Sequence, residues 1–238
     1  MSIYLVALIT LAILQISVLW TTIYLHRGLT HKGLELHPAL ALLAHLHVAV
    51  FLGIAPREWV AVHRKHHHFS DQEGDPHSPR IYGLWQVLFG NVFYYGREAA
   101  NKATVEKYTP DYKPDIIDKA RILHSGLIWG SITFVAMFGW KVGLAAFAFH
   151  AVAYILLNSA INSVCHIVGY RNFNNLATNL QVLALFTGGE GLHNNHHEYP
   201  TSARFAVLRS EVDPAWPLIW MLERFRLARI NRVALAKA

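Results

Sequence analysis

Residues 3–31 read IYLVALITLAILQISVLWTTIYLHRGLTH. Positions 3–25 are almost uninterrupted apolar sequence without a formal charge, and about 20 such residues cross a bilayer as a helix. The run ends directly in His26 and His31, so a membrane helix would deliver two imidazoles to a membrane boundary. Two further clusters, His63-Arg64-Lys65-His66-His67-His68 and His193-Asn194-Asn195-His196-His197, also sit where apolar sequence meets polar sequence. In both, histidines at i, i+3 and i+4 share a helical face, so their imidazoles can converge on one point. Imidazole suits iron, zinc, copper and nickel. Eight convergent histidines (26, 31, 63, 66, 67, 193, 196 and 197) exceed what one tetrahedral ion needs, which argues for two metals at a membrane surface.

Composition agrees. Of the 238 residues 53% are hydrophobic and 15% charged, against about 25% charged in a typical soluble domain. The deficit is regional, as spans require. The length fits a single membrane-embedded domain over 1–238, with no internal repeat. The formal charge of +6 lies mainly outside the apolar runs. It suits anionic headgroups and lacks the separate basic domain that nucleic-acid binding would use. Cys165 is the only cysteine, which excludes an intrachain disulfide or a thiolate cluster and reads as a small buried residue. The N-terminal run, too long for a signal-peptide core and lacking a basic leader, reads as a retained anchor. Arg27 and Lys32 follow it, so the positive-inside rule puts the N-terminus outside and the first histidine cluster in the cytoplasm.

Residues 38–55 are of borderline length for a span. A full crossing would put the first two clusters on opposite faces, so a shared site requires an interfacial or re-entrant helix here. His45 and His47 within it point to different faces, which argues against ligation by either. Residues 57–121 are polar, with turns at Gly74-Asp75-Pro76 and Ser78-Pro79. They carry an aromatic face (Trp85, Phe89, Phe93, Tyr94, Tyr95) suited to headgroups. Residues 122–140 and 142–162 read as a helical hairpin turning within 139–143; His150 mid-span is either packed in the bundle interior or functional, and a lone histidine favours the former. Arg224, Arg226, Arg229, Arg232 and Lys237 lie on a helix-forming tail with a solvated or headgroup-bound face. The expected fold is an all-α integral membrane protein with about three transmembrane helices, interfacial or re-entrant helices and a cytoplasmic helical cap. His26 and His31 are roughly 140° apart on a regular helix, so both cannot point inward from one; Gly28 offers a bend. His68 is displaced from the face of His63, His66 and His67, and Lys65 reads as solvated.

These motifs together resemble the membrane-bound fatty acid desaturases, in particular the acyl-CoA desaturase-like branch, over about residues 20–204. The H-x4-H box is matched at residues 26–31 and the H-R-x-H-H box, with following Phe-Ser and an acidic residue, at 63–71. Asp75-Pro76-His77 matches the D-P-H element, Asn162-Ser163-Val164-Cys165-His166 the N-S-x-x-H element, and residues 189–200 the G-E-G-x-H-N-x-H-H box. The resemblance implies two iron ions held by His26, His31, His63, His66, His67, His166, His193, His196 and His197, with Asn162 reaching one metal through a water. His166 enters only through this resemblance. The implied reaction is O2-dependent desaturation of a fatty acyl chain; Glu190 and Asp71 read as carboxylates that orient ligand imidazoles, with a helix-terminus charge as the equal alternative for Glu190. A hydroxylase acting on an acyl chain or isoprenoid is the neighbouring alternative on the same scaffold. The sequence holds no haem-binding or iron–sulfur segment, so an external electron-transfer protein, a ferredoxin or a small haem protein with its reductase, is expected. The chain departs from the branch in two ways: it begins at the span that leads into the first box, and it reads Trp59-Val60-Ala61-Val62 where animal acyl-CoA members carry an Arg-Asp pair. The second departure makes an acyl chain esterified to a membrane lipid, or carried on a protein, as plausible a substrate as a CoA thioester.

Overall fold

The structure is a computed structural model and describes residues 1–120 and 124–234. Helix α1 (Ile3–Trp20) starts at Ser2, whose hydroxyl accepts the Leu5 N–H. It runs without interruption into a π-helical segment, Thr21–Thr30, forming one apolar helix of 28 residues. The hydroxyls of Thr10 and Thr21 bond back to Val6 and Ser17 carbonyls, so these polar groups are satisfied inside the helix, as lipid requires. The short strand β1 (Leu34–Leu36) follows, then α2 (Pro38–His47) and a second π-helical segment, Val48–Leu52. Gly53, at φ +67°, turns the chain into α3 (Pro56–Phe69). The two halves of this run meet at 87°.

After α3 come α4 (Pro79–Tyr82), α5 (Leu84–Ala99), α6 (Lys102–Tyr108) and α7 (Ile116–Lys119). Trp85, Phe89 and Phe93 form the exposed aromatic stripe on α5, while Tyr94 and Tyr95 are half-buried, Tyr94 against Tyr82 and Tyr95 lining the cavity. The expected hairpin is α8 (Gly126–Phe138) and α9 (Trp140–Ser163), reversing at Gly139, φ +80°; its expected start at Ile122 lies outside the described residues. The two helices meet almost backbone to backbone. A Cβ on Gly143 would lie 2.5 Å from the Phe134 carbonyl oxygen, the close approach that small residues permit between membrane helices. His150 is fully buried in this bundle and bonds the Ser17 hydroxyl. Cys165 is likewise buried.

A 3₁₀ turn (Val164–His166) leads to α10 (Gln181–Phe186), α11 (His193–Glu198), α12 (Ala215–Arg224) and strand β2 (Ala228–Ile230). The tail expected as helix is thus corrected. Arg224 ends α12, and Arg229 lies in a strand paired antiparallel to β1, opposite Glu35, with its guanidinium 2.9 Å from that carboxylate. A three-residue strand carries too little alternation to reveal itself, and its partner is nearly the whole chain away. Arg224, Arg226, Arg229 and Arg232 are exposed as expected; Lys237 lies outside the described residues. The molecule is mostly helical, and among the described residues two helices are long and apolar enough to cross a membrane, or three if the bent pair counts as one. Leu8, Leu11, Ile132, Leu144, Phe149 and Val152 expose a broad apolar surface on α1, α8 and α9.

Candidate metal centre

The first histidine pair shows why the regular-helix expectation fails. In the π-helical segment the His31 N–H bonds the His26 carbonyl, five residues back. A bond from i to i+5 stacks residues five apart, so His26 and His31 share a face, their ring centroids 4.9 Å apart. Arg27, counted above as a flanking charge, is fully buried. Its guanidinium forms a two-pronged pair with Asp213, bonds Thr22 and the Ala203 and Gly188 carbonyls, and stacks 3.8 Å over Phe205. It ties the first helix to the loops around the third cluster and adds no free positive charge at the membrane edge.

From α3, His63, His66 and His67 turn inward, while His68 is exposed against Phe69 and Tyr108. Lys65, expected to be solvated, instead pairs with Glu98 at 2.7 Å. The six-residue α11 is too short to stand alone, and the two asparagines between its histidines anchor it. Asn194 accepts the Asn172 and Phe173 N–H groups, and Asn195 donates to the Phe205 carbonyl and Glu211.

All nine histidines come together, in two groups: His26, His31, His63, His67 and His196, and His66, His166, His193 and His197. The second and third sequence clusters are therefore divided, while His26 and His31 stay together. His63 and His67 serve one group and His66 the other, where the shared helical face suggested a single point of convergence. Within each group the candidate ligand atoms lie within 4.8 Å of one another. Nε2–Nε2 separations are 3.0 Å for His26–His196 and His63–His67, 2.9 Å for His67–His196, 3.0 Å for His166–His193 and 3.1 Å for His193–His197. The groups adjoin where the His67 and His197 rings stack at 4.4 Å.

Three carboxylates orient these rings from behind. Glu190 lies 2.6 Å from His26 Nδ1, Asp71 2.8 Å from His166 Nδ1, and both oxygens of Asp75 3.0 Å from His66 Nδ1. Each pairing puts the proton on Nδ1 and turns the Nε2 lone pair toward the cluster. Glu190 and Asp71 lie behind imidazoles, as the orienting reading expects; Asp75 reads in sequence as part of a turn and of the Asp-Pro-His element, with no role of its own. Burial opposes ionisation of Asp71 and Asp75, but bonds from His166 and Ser78, and from His66 and His77, hold both carboxyls below the usual range. Burial, reinforced by neighbouring imidazoles, keeps His193, His196 and His197 well below the ordinary histidine value, so they present neutral rings at pH 7.

Nε2 of His31 and of His66 is buried without a hydrogen-bond partner, which costs about 1–3 kcal/mol per group and which a cation would relieve. Neutral imidazoles in groups of five and four are compatible with a pair of transition-metal ions. A cavity of about 430 Å³ runs from this cluster into the helices, touching His26, His63, His193 and Asn162 and lined farther in by Val18, Leu52, Tyr154 and Leu157. That volume is within the roughly 300–1,000 Å³ of small-molecule sites.

Fold and site thus define a helical membrane protein with a polyhistidine site compatible with metal. The fatty acid desaturase family model matches residues 2–222, and the chain belongs to that family; it is an acyl desaturase, an oxidoreductase. It is 32% identical to the Delta-9 desaturase-like 2 protein of Arabidopsis thaliana, over 85% of this chain and 69% of that one. It is 31% identical to the Delta-9 acyl-lipid desaturase 2 of the same plant, over 92% and 72%. With the icosanoyl-CoA 5-desaturase of Limnanthes douglasii it shares 33% over 89% of this chain and 60% of the relative.

Proposed function

We propose that the chain introduces a cis double bond into a fatty acyl chain, using O2 and a pair of iron ions held by the nine histidines, with Asn162 reaching one of them through a water. The observation that carries this reading is the polyhistidine cluster opening onto an apolar cavity. Bound there, the metals would supply the oxidising power, with O2 and two external electrons, to remove hydrogens from an unactivated methylene, which no side-chain acid or base achieves. The balance is one acyl CH2–CH2 unit, O2, two electrons and two protons, giving one CH=CH unit and two waters.

The protein's own residues position the reactants. Glu190, Asp71 and Asp75 hold three imidazoles in one tautomer, and Trp59 stacks on His63 with the planes 5° apart. The cavity walls fix which carbons lie near His26, His63 and His193, the orienting effect that sets regioselectivity. The names of the relatives, acyl-lipid and acyl-CoA desaturases alike, support a fatty acyl substrate carried on a membrane lipid or on CoA. We further infer a single domain over 1–238 with about three spans, the N-terminus outside and the histidine cap in the cytoplasm, where an external ferredoxin or small haem protein with its reductase would deliver electrons.

Expression in a bacterium of simple fatty-acid composition, together with such a donor, tests this. Methyl esters from the lipid and thioester pools are analysed separately by gas chromatography–mass spectrometry. A new cis-monoene two hydrogens lighter than its parent is expected, and the pool that holds it identifies the carrier. A product heavier by one oxygen would replace desaturation by hydroxylation.

A further inference from the structure

Outside the nine-histidine cluster, one more imidazole pair repeats its geometry. His45 on α2 is fully buried, and its Nδ1 lies 2.7 Å from Asp115 Oδ2. The pairing puts the proton on Nδ1 and leaves the Nε2 lone pair facing His124 Nε2 at 3.2 Å. This is the arrangement of His26 and His166: a carboxylate behind Nδ1 and a second imidazole in front of Nε2. Asp118 on α7 completes the set, its carboxylate within 4.8 Å of both imidazole ligand atoms. That carboxylate already accepts the Tyr112 hydroxyl at 3.1 and 3.0 Å and the Asp115 N–H at 2.8 Å. Two oxygens offer about four lone-pair sites, so these bonds orient the group and leave capacity for a cation.

We propose that His45, Asp118 and His124 form a third, mononuclear site for a divalent transition-metal ion. Two imidazoles and a carboxylate are a donor set that Zn2+ and Fe2+ accept, with a fourth position left for water. His45 comes from the bent pair of helices, Asp118 from the polar segment between α6 and α8, and His124 from just before α8. An ion there staples three segments that are distant in sequence, close to where Gly53 and Gly126 meet and Leu52 and Leu127 line the cavity. The role is structural and does not depend on the reaction proposed above.

The test is metal stoichiometry. Detergent-purified wild-type protein, H124Q and D118N are saturated with Zn2+, freed of loose metal by desalting, and measured by plasma mass spectrometry. Asparagine at 118 keeps the oxygen that accepts the Asp115 N–H, so the α7 cap survives. Each variant is expected to hold one ion fewer per chain than wild type, whatever number the nine histidines retain. A His193→Ala variant, which cripples the main cluster, is expected to keep the third ion. Folded H124Q and D118N with the wild-type count would overturn the site and leave His45–His124 as a hydrogen bond. Should both variants unfold, anomalous diffraction at the zinc edge from wild-type crystals decides: a peak between His45, Asp118 and His124 supports the site. Zinc at the main cluster alone refutes it.

Discussion

Glu190 touches two neighbours at once: one oxygen accepts from His26 Nδ1 and the other takes the Thr22 hydroxyl. Replacing it by glutamine keeps the volume, removes the charge and weakens the hold on the His26 tautomer. Loss of such a partner typically costs about 10–100-fold in metal affinity or activity, so Glu190→Gln is expected to fall in that range by metal content and product yield. Wild-type figures for both would make the carboxylate a bystander. His166 and His68 supply a contrasting pair. His166→Ala removes a member of the four-histidine group and is expected to abolish product, whereas His68→Ala, on the outer face of α3, is expected to retain metal and turnover. Metal loss in His68→Ala would mean that α3 presents a different face to the site.

The helices reach the site through departures from regular geometry. The π-helical segment at Thr21–Thr30 aligns an H-x4-H pair that an α-helix would splay, and the 87° break after Leu52 returns α3 to the same centre. Both are products of packing: Arg27 and its buried Asp213 partner hold the first, Gly53 the second. The hairpin depends on contact instead. At Gly143 any side chain meets the Phe134 and Val135 backbone, which cannot move aside as a flexible side chain could. Forced overpacking costs about 1–3 kcal/mol, and the backbone contact puts Gly143→Leu at the upper end or beyond. Its midpoint in a detergent thermal melt is expected to drop by several degrees. Gly96→Ala, where an added Cβ meets nothing within 4 Å, is the control expected to lose no stability.

The cavity links the metal end of the molecule to its apolar interior. Val18 lines it eight residues, about two helical turns, before His26, so it faces the substrate away from the reacting carbons. Val18→Phe is expected to shift the product profile toward shorter acyl chains without abolishing desaturation. The readout is the chain-length distribution of monoenes when several saturated precursors are available. An unchanged distribution would mean that the chain end lies elsewhere. The β1–β2 ribbon closes the fold around this interior, joining sequence near the first histidine pair to the C-terminal segment.

Apolar runs and histidine spacing determined the membrane class, the hairpin, the inward trio on α3 and the polyhistidine character of the site, because composition and helical period are local properties. His166 needed the family resemblance, since one histidine past a span has no periodicity to mark it. The division into groups of five and four, the burial of Arg27 against Asp213, the part played by Asp75 and the strand at the tail were decided only by the tertiary structure. Each depends on which distant segments meet. An arginine following a span looks the same in sequence whether it faces water or a buried carboxylate 186 residues away.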